Sequence, residues 1–220
     1  MNISSNIDAI KSELTKKIVL VAVSKTKPIE DILKAYRAGH RIFGENKVQE
    51  MALKYAKMPH DIQWHMIGHL QRNKVKYIAS FVHLIHGVDS FKLLKEIDKQ
   101  AKKNGRVINC LFQVKIAQEQ SKYGMTKEEI ISIINSDEFS GLKNINVVGL
   151  MGMATFTNNE NQIKQEFSLL KITFDNLSSE NQSNFNLQIL SMGMSGDYKI
   201  AIACGSTMIR IGSTIFGSRT

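Results

Sequence analysis

The sequence predicts an α/β fold, a single (β/α)8 TIM barrel over residues 1–220 with an extra N-terminal helix ahead of the first strand. Eight short apolar runs alternate with segments of helical spacing, and eight parallel strands close such a barrel. The first run, residues 18–23, is unbroken and rich in β-branched side chains, as in a strand covered on both faces. A chain of 220 residues, 43% hydrophobic, supplies the one core this fold needs.

Ile3, Ile7, Ile10 and Leu14 recur at helical spacing around Ser5-x-x-Asp8, which reads as a capping box, so a helix precedes the first strand. Pro28 has no backbone donor and disfavours α geometry at Lys27, so the strand ends there and a helix over residues 29–38 opens, closed by Gly39. Residues 41–46 (RIFGEN) form the second strand, and 47–57 a helix ended by Pro59. The third strand covers 62–68, with a helix over 70–80 behind it. Residues 82–88 are a strand, and Asp89 with Ser90 caps a helix over 91–103. The fifth strand spans 106–116, followed by the polar stretch AQEQSKYGM and a helix over 126–135. Strands over 145–153, 187–192 and 208–211 are separated by helices over 160–177 and 196–203.

An open, doubly wound sheet is the competing architecture. Its dinucleotide fingerprint G-x-G-x-x-G is absent after the first strand, where the residues are SKTKP. Nine residues follow Ile211, too few for a full eighth outer helix, and the N-terminal helix is expected to fill that slot.

The net charge of +9 comes mostly from lysines scattered over helical segments. Nucleic-acid binders add aromatic stacking platforms or a recognition module, and neither is visible, so no nucleic-acid partner is expected. The densest basic stretch, Arg72-Asn-Lys-Val-Lys76, continues a helical pattern and reads as a solvated face. No apolar run is long enough to span a bilayer and residues 1–17 lack a signal-peptide core, so a cytoplasmic protein without membrane partners is expected. Cys110 and Cys204, far apart, read as free thiols.

In a barrel of this kind the active face lies at the C-terminal ends of the strands, and the loops after strands seven and eight often hold phosphate. Lys25 ends strand one, Glu45 and Asn46 end strand two, and His65 and Gly68 lie near the end of strand three. Ser191 to Ser195 follows strand seven, and Gly212 with Ser213 follows strand eight. The last two loops offer hydroxyls, small residues and backbone N–H groups suited to a phosphate dianion. An amine facing such a cradle is what a phosphorylated aldehyde cofactor needs for a Schiff base, which points to pyridoxal phosphate (PLP). Lys25 also has a plain reading, a side chain snorkelling from a strand end. Glu45 is either a salt-bridge partner or a general base. Ser191 and Ser195 read as phosphate ligands rather than turn residues. His65-x-x-x-His69 and His83-x-x-His86 are not read as metal pairs, since a strand does not put such spacings on one face, and no metal is expected.

The stretches VAVSKTKP, FGENKVQE, WHMIGHLQRNK, SKYGM, GLMGMAT and LSMGMSGDYKIAIACGSTMIRIGSTIFG closely resemble those of the pyridoxal phosphate homeostasis proteins, in the same order over almost the whole chain. That resemblance implies a barrel like the N-terminal domain of alanine racemase, fold type III of PLP proteins. It implies that Lys25 carries the cofactor and that Ser195 with the backbone of Gly212 and Ser213 holds the phosphate. Asn46 would lie near the ring, Arg210 would face the pyridine nitrogen, and His65 and Met194 would line the pocket. His69 is assigned no role. A guanidinium only donates, so the ring nitrogen stays unprotonated and the ring is a weak electron sink. Racemisation also needs a second acid/base on the opposite face; in alanine racemase a further β domain and the partner subunit supply it, and here the sequence stops at Thr220. The resemblance therefore implies a carrier serving intracellular vitamin B6 and amino-acid homeostasis, without robust turnover, as a monomer or weak homodimer with PLP-dependent apo-enzymes as possible partners. The alternative is a PLP-dependent amino-acid racemase-like enzyme.

Overall fold

Eight parallel strands close on themselves in sequence order: β1 (Val19–Val23), β2 (Ile42–Glu45), β3 (Gln63–Met66), β4 (Leu84–Val88), β5 (Ile108–Gln113), β6 (Ile145–Met151), β7 (Phe185–Met194) and β8 (Met208–Ile211). The structure, a computed structural model, describes residues 2–117, 123–180 and 182–217. Residues 118–122 of the polar stretch after β5, and so the Ser-Lys of SKYGM, lie outside these. Strand β8 pairs back onto β1 with Val21 opposite Arg210, which closes the cylinder expected from the count of eight.

Successive strand residues point to opposite faces, and this divides the core in two. Val19 and Val21 point inward and pack with Leu84, Leu111, Met151 and Met208 inside the cylinder. Leu20 and Ala22 point outward into the larger core between strands and helices, which holds Phe43, Trp64, Phe112, Phe139, Phe167 and Phe185. The outer layer consists of α1 (Ile3–Glu13), α2 (Ile29–Arg37), α3 (Val48–Tyr55), a 3₁₀ helix (Arg72–Tyr77), α4 (Phe91–Lys103), α5 (Lys127–Ile134), α6 (Asp137–Ser140), α7 (Glu160–Leu177), α8 (Tyr198–Ala203) and α9 (Ser213–Phe216).

Helix α9 is a single turn, and α1 packs between it and α2, with Asn6 Nδ2 donating to the Ile215 carbonyl at 3.0 Å. The N-terminal helix therefore fills the eighth outer slot. Its cap is Asn2, whose side chain accepts from Ser5 N, and not the Ser5–Asp8 box. Starting at Ile3 lets Ile3, Ile7 and Ile10 form one buried stripe.

The segment predicted as a helix over 70–80 is the 3₁₀ element. Val75, Ile78 and Ala79 turn inward at close spacing, and Lys74 N–Gln71 O and Ile78 N–Val75 O are i to i+3 bonds. Helix α8 starts at Tyr198 and not at Gly196, because Met194 N donates to Asp197 Oδ1 and Asp197 N to the Met194 carbonyl, folding 194–197 into a turn. Helix α6 was not legible as an element of its own; Ser136 caps it and Phe139 anchors it in the outer core.

Candidate functional site

The C-terminal ends of β1, β2, β7 and β8 surround a cavity of about 490 Å³, within the range of small-molecule sites. Lys25, Asn46, Met194, Ser195, Arg210, Gly212 and Ser213 all line it. Seven of the eight residues that the resemblance places around the cofactor thus meet at one mouth. Close packing sets several of them. A Cβ on Gly68 would sit 2.6 Å from the Asn46 carbonyl oxygen, so the loop after β3 lies directly against the backbone that carries Asn46. Gly193 has φ +98°, and a Cβ there would meet that of Ala201 at 2.6 Å, so only glycine lets β7 deliver Met194 and Ser195 to the rim.

The Gly212 N–H donates to Ser195 Oγ at 3.3 Å, so the loops after β7 and β8 bring hydroxyl and backbone donor together, with Ser213 next in the chain. Lys25 stands in the wall formed by β1. Two amines, a guanidinium, four hydroxyls and backbone N–H groups around one small cavity fit an anionic aldehyde.

The eighth residue, His65, lies elsewhere. It shares register with Leu84 and so points into the cylinder, beneath the cavity and not in its wall. Ser191 is likewise no phosphate ligand, for it is fully buried in register with Met151 and Met208. Both belong to a polar column inside the barrel. Arg210 Nη1 donates to Ser191 Oγ at 2.6 Å, and Nη2 to the Gly152 carbonyl at 3.2 Å. Ser191 Oγ meets His86 Nδ1 at 3.1 Å, and His86 Nε2 meets His65 Nδ1 at 3.0 Å.

Arginine can only donate, so Ser191 Oγ accepts from it. The hydroxyl keeps a second lone pair as well as its own proton, so the histidine tautomers set the direction of the Ser191–His86 and His86–His65 contacts. His65 Nε2, buried at the far end, has no hydrogen-bond partner. Burial pushes His65 down to about 3 and His86 well below the ordinary imidazole range, so both rings are neutral at physiological pH. Burial also lowers Arg210 to about 10, with Asp197 opposing, and the guanidinium stays charged. Arg210 is thus held by neutral dipoles, and its charge is directed to the cavity it lines.

Glu45 faces the other way, between barrel and helices, where it accepts from Lys54 Nζ and Ser24 Oγ. Of its two readings the structure carries the salt bridge. Sequence reasoning missed Lys27, Thr155 and Asp197, which also line the cavity. Thr155 is held by Glu166 of α7, which accepts from its N–H at 2.6 Å and its hydroxyl at 2.7 Å. A buried glutamate on a helix gives no signal until the helix is placed. Among the described residues, no group of three or more His, Cys, Asp or Glu is arranged to hold a metal, and no helix is long and apolar enough to cross a membrane.

The family of the alanine racemase N-terminal domain matches residues 1–220. The pyridoxal phosphate homeostasis proteins of Helicobacter pylori and Aquifex aeolicus are 39% and 40% identical to this chain over 201 and 202 residues. Those alignments cover 90% and 91% of it and 87% and 86% of their own lengths. The chain belongs to the pyridoxal phosphate homeostasis protein family. Among solved structures, PipY of Synechococcus elongatus PCC7942, solved with PLP bound, is 33% identical with a TM-score of 0.89, covering 98% of this chain and 100% of its own. The PLP-free form of PipY gives 0.91. An alanine racemase of Clostridium difficile 630, 14% identical, superimposes with a TM-score of 0.78 over 99% of this chain and 57% of its own, and shows the shared barrel alone.

Proposed function

We propose that this homeostasis-family chain binds PLP reversibly in the cavity at the barrel mouth and acts in intracellular vitamin B6 balance as a holder of the cofactor. The observation that carries the reading is the meeting of Lys25, Arg210 and the Ser195–Gly212–Ser213 rim around one cavity. The PLP-bound structure of PipY, a relative over nearly its full length, supports it. Lys25 would hold the aldehyde as a Schiff base: its nitrogen bonds to the aldehyde carbon and one water leaves. Ser195 Oγ and the N–H groups of Gly212 and Ser213 would take the phosphate, Arg210 would donate to the ring nitrogen, and Asn46 and Met194 would flank the ring.

When bound, PLP supplies an electrophilic carbon and a ring able to accept electron density. The charged guanidinium of Arg210 supplies a donor and no acceptor, so it keeps a proton off the ring nitrogen and weakens that electron sink. The arrangement favours holding over turnover. The test is borohydride reduction of PLP-loaded protein followed by peptide mapping. A pyridoxyl label on Lys25 is the expected result, and a label confined to other lysines would overturn the reading.

A further inference from the structure

Thr26, the residue after Lys25, has φ +64° and is the one non-glycine residue of the described chain in the left-handed region. A β-branched side chain there is a genuine outlier that persists only if its surroundings hold it. The structure shows what does. Glu50 of α3 accepts from Thr26 N at 2.6 Å, and from Lys54 Nζ at 2.7 Å. Lys54, itself buried, also donates to the Ser24 carbonyl at 2.8 Å and to Glu45 Oε1 at 2.8 Å, so all three of its hydrogens are used. Glu45 Oε1 in turn accepts from Ser24 Oγ. The Ser24 carbonyl takes a second bond from Lys27 N, and Ser24 N donates to the Gly44 carbonyl. The backbone on both sides of Lys25 is thus tied to α3 and β2 by a lysine and two carboxylates that do not line the cavity.

We propose that Lys54, Glu45 and Glu50 are positioning residues for Lys25, a buried ionic clamp that holds the strained 24–26 turn and so aims the Lys25 amine into the cavity. This inference rests on the PLP reading above. Placing the clamp on α3 and the outer face of β2, behind the cavity wall, fixes the turn without adding a carboxylate to the anion site. The strain at Thr26 makes the clamp necessary, since an unclamped threonine would leave the left-handed region and carry Lys25 with it.

The test compares Glu50→Ala, Lys54→Met and Lys54→Arg, each with Thr26 and with Thr26→Gly. The first readout is the rate of pyridoxyl labelling at Lys25 under limiting PLP and borohydride. Glu50→Ala and Lys54→Met are expected to slow labelling about tenfold, and Lys54→Arg to recover most of the loss. With Thr26→Gly, which adopts positive φ freely, Glu50→Ala should cost twofold or less. Equal losses in both backgrounds would overturn the proposal. The second readout, hydrogen exchange of amides 24–27 without cofactor, should quicken at least tenfold in Glu50→Ala, and unchanged exchange would also overturn it. If wild-type Lys25 takes no label, the PLP reading fails while the exchange result still decides the clamp. If Lys54→Met does not fold, Glu50→Ala, at a half-exposed site, carries both readouts.

Discussion

Replacing Ser191 by alanine removes the joint between Arg210 and the histidine column. Two buried hydrogen bonds disappear, one from a guanidinium at 2.6 Å and one with His86 Nδ1 at 3.1 Å. A hydrogen bond to a charged group contributes about 1.5–3 kcal/mol, and a buried ring nitrogen stranded at His86 costs about 1–3 kcal/mol more. The Gly152 carbonyl still takes Nη2, so the loss is partial at the arginine end. Ser191→Ala should therefore cost roughly 3–5 kcal/mol, a large share of the 5–15 kcal/mol typical of a folded domain. Urea unfolding should show a lower midpoint at unchanged slope, and Tm should fall by about 6–20 °C. His65→Leu exchanges one unpaired buried nitrogen, His65 Nε2, for another, His86 Nε2, and should cost less than half as much. If Ser191→Ala lies within about 1 kcal/mol of wild type, the column does not brace Arg210.

Acid should weaken the fold through the same histidines and through buried His40, whose Nε2 lies 2.8 Å from the Ile42 carbonyl. Buried His65 at about 3, His40 at about 4 and His86 all lie below the ordinary 6.5, so the stability they give is present above pH 6.5 and lost as pH falls toward their folded values. At pH 5 His65 and His40 each contribute a loss of about 2 kcal/mol relative to pH 7.5, and His86 adds to it in the same direction, measurable as a falling urea midpoint; a flat profile would contradict their neutral burial. Glu166→Ala removes both bonds to Thr155 and should weaken PLP binding about tenfold by titration, at roughly 2 kcal/mol in stability, whereas unchanged affinity would show the 154–158 wall to be irrelevant. Gly193→Ala forces a side chain into positive φ and against Ala201, so a loss of about 2–4 kcal/mol is expected by denaturant unfolding.

The barrel was legible because its signals are local and repeated. The unbroken run at 18–23 reports burial on both faces, and strand count fixes closure. The rim was legible for the same reason: Lys25, Asn46, Ser195 and Gly212 sit where strands end, and strand ends share a mouth in this fold. Residues one layer down were not. His65 and Ser191 lie close in sequence to strand ends, yet register in the closed sheet, which no single strand reveals, turns them into the interior. Glu45 shows the converse, since its neighbour Asn46 lines the cavity while alternation sends Glu45 to Lys54 on the far side. The kink at Thr26 left no trace in SKTKP, for a threonine carries no signal for positive φ and the carboxylate that holds it lies on α3, beyond the next helix and strand.

A crystal structure of the chain soaked with PLP tests the central claim most directly. Continuous density from Lys25 Nζ to the cofactor, with phosphate against Ser195, Gly212 and Ser213 and the ring nitrogen on Arg210, is the predicted result. Cofactor bound outside the barrel mouth, or a Lys25 side chain turned away from Arg210, would contradict it.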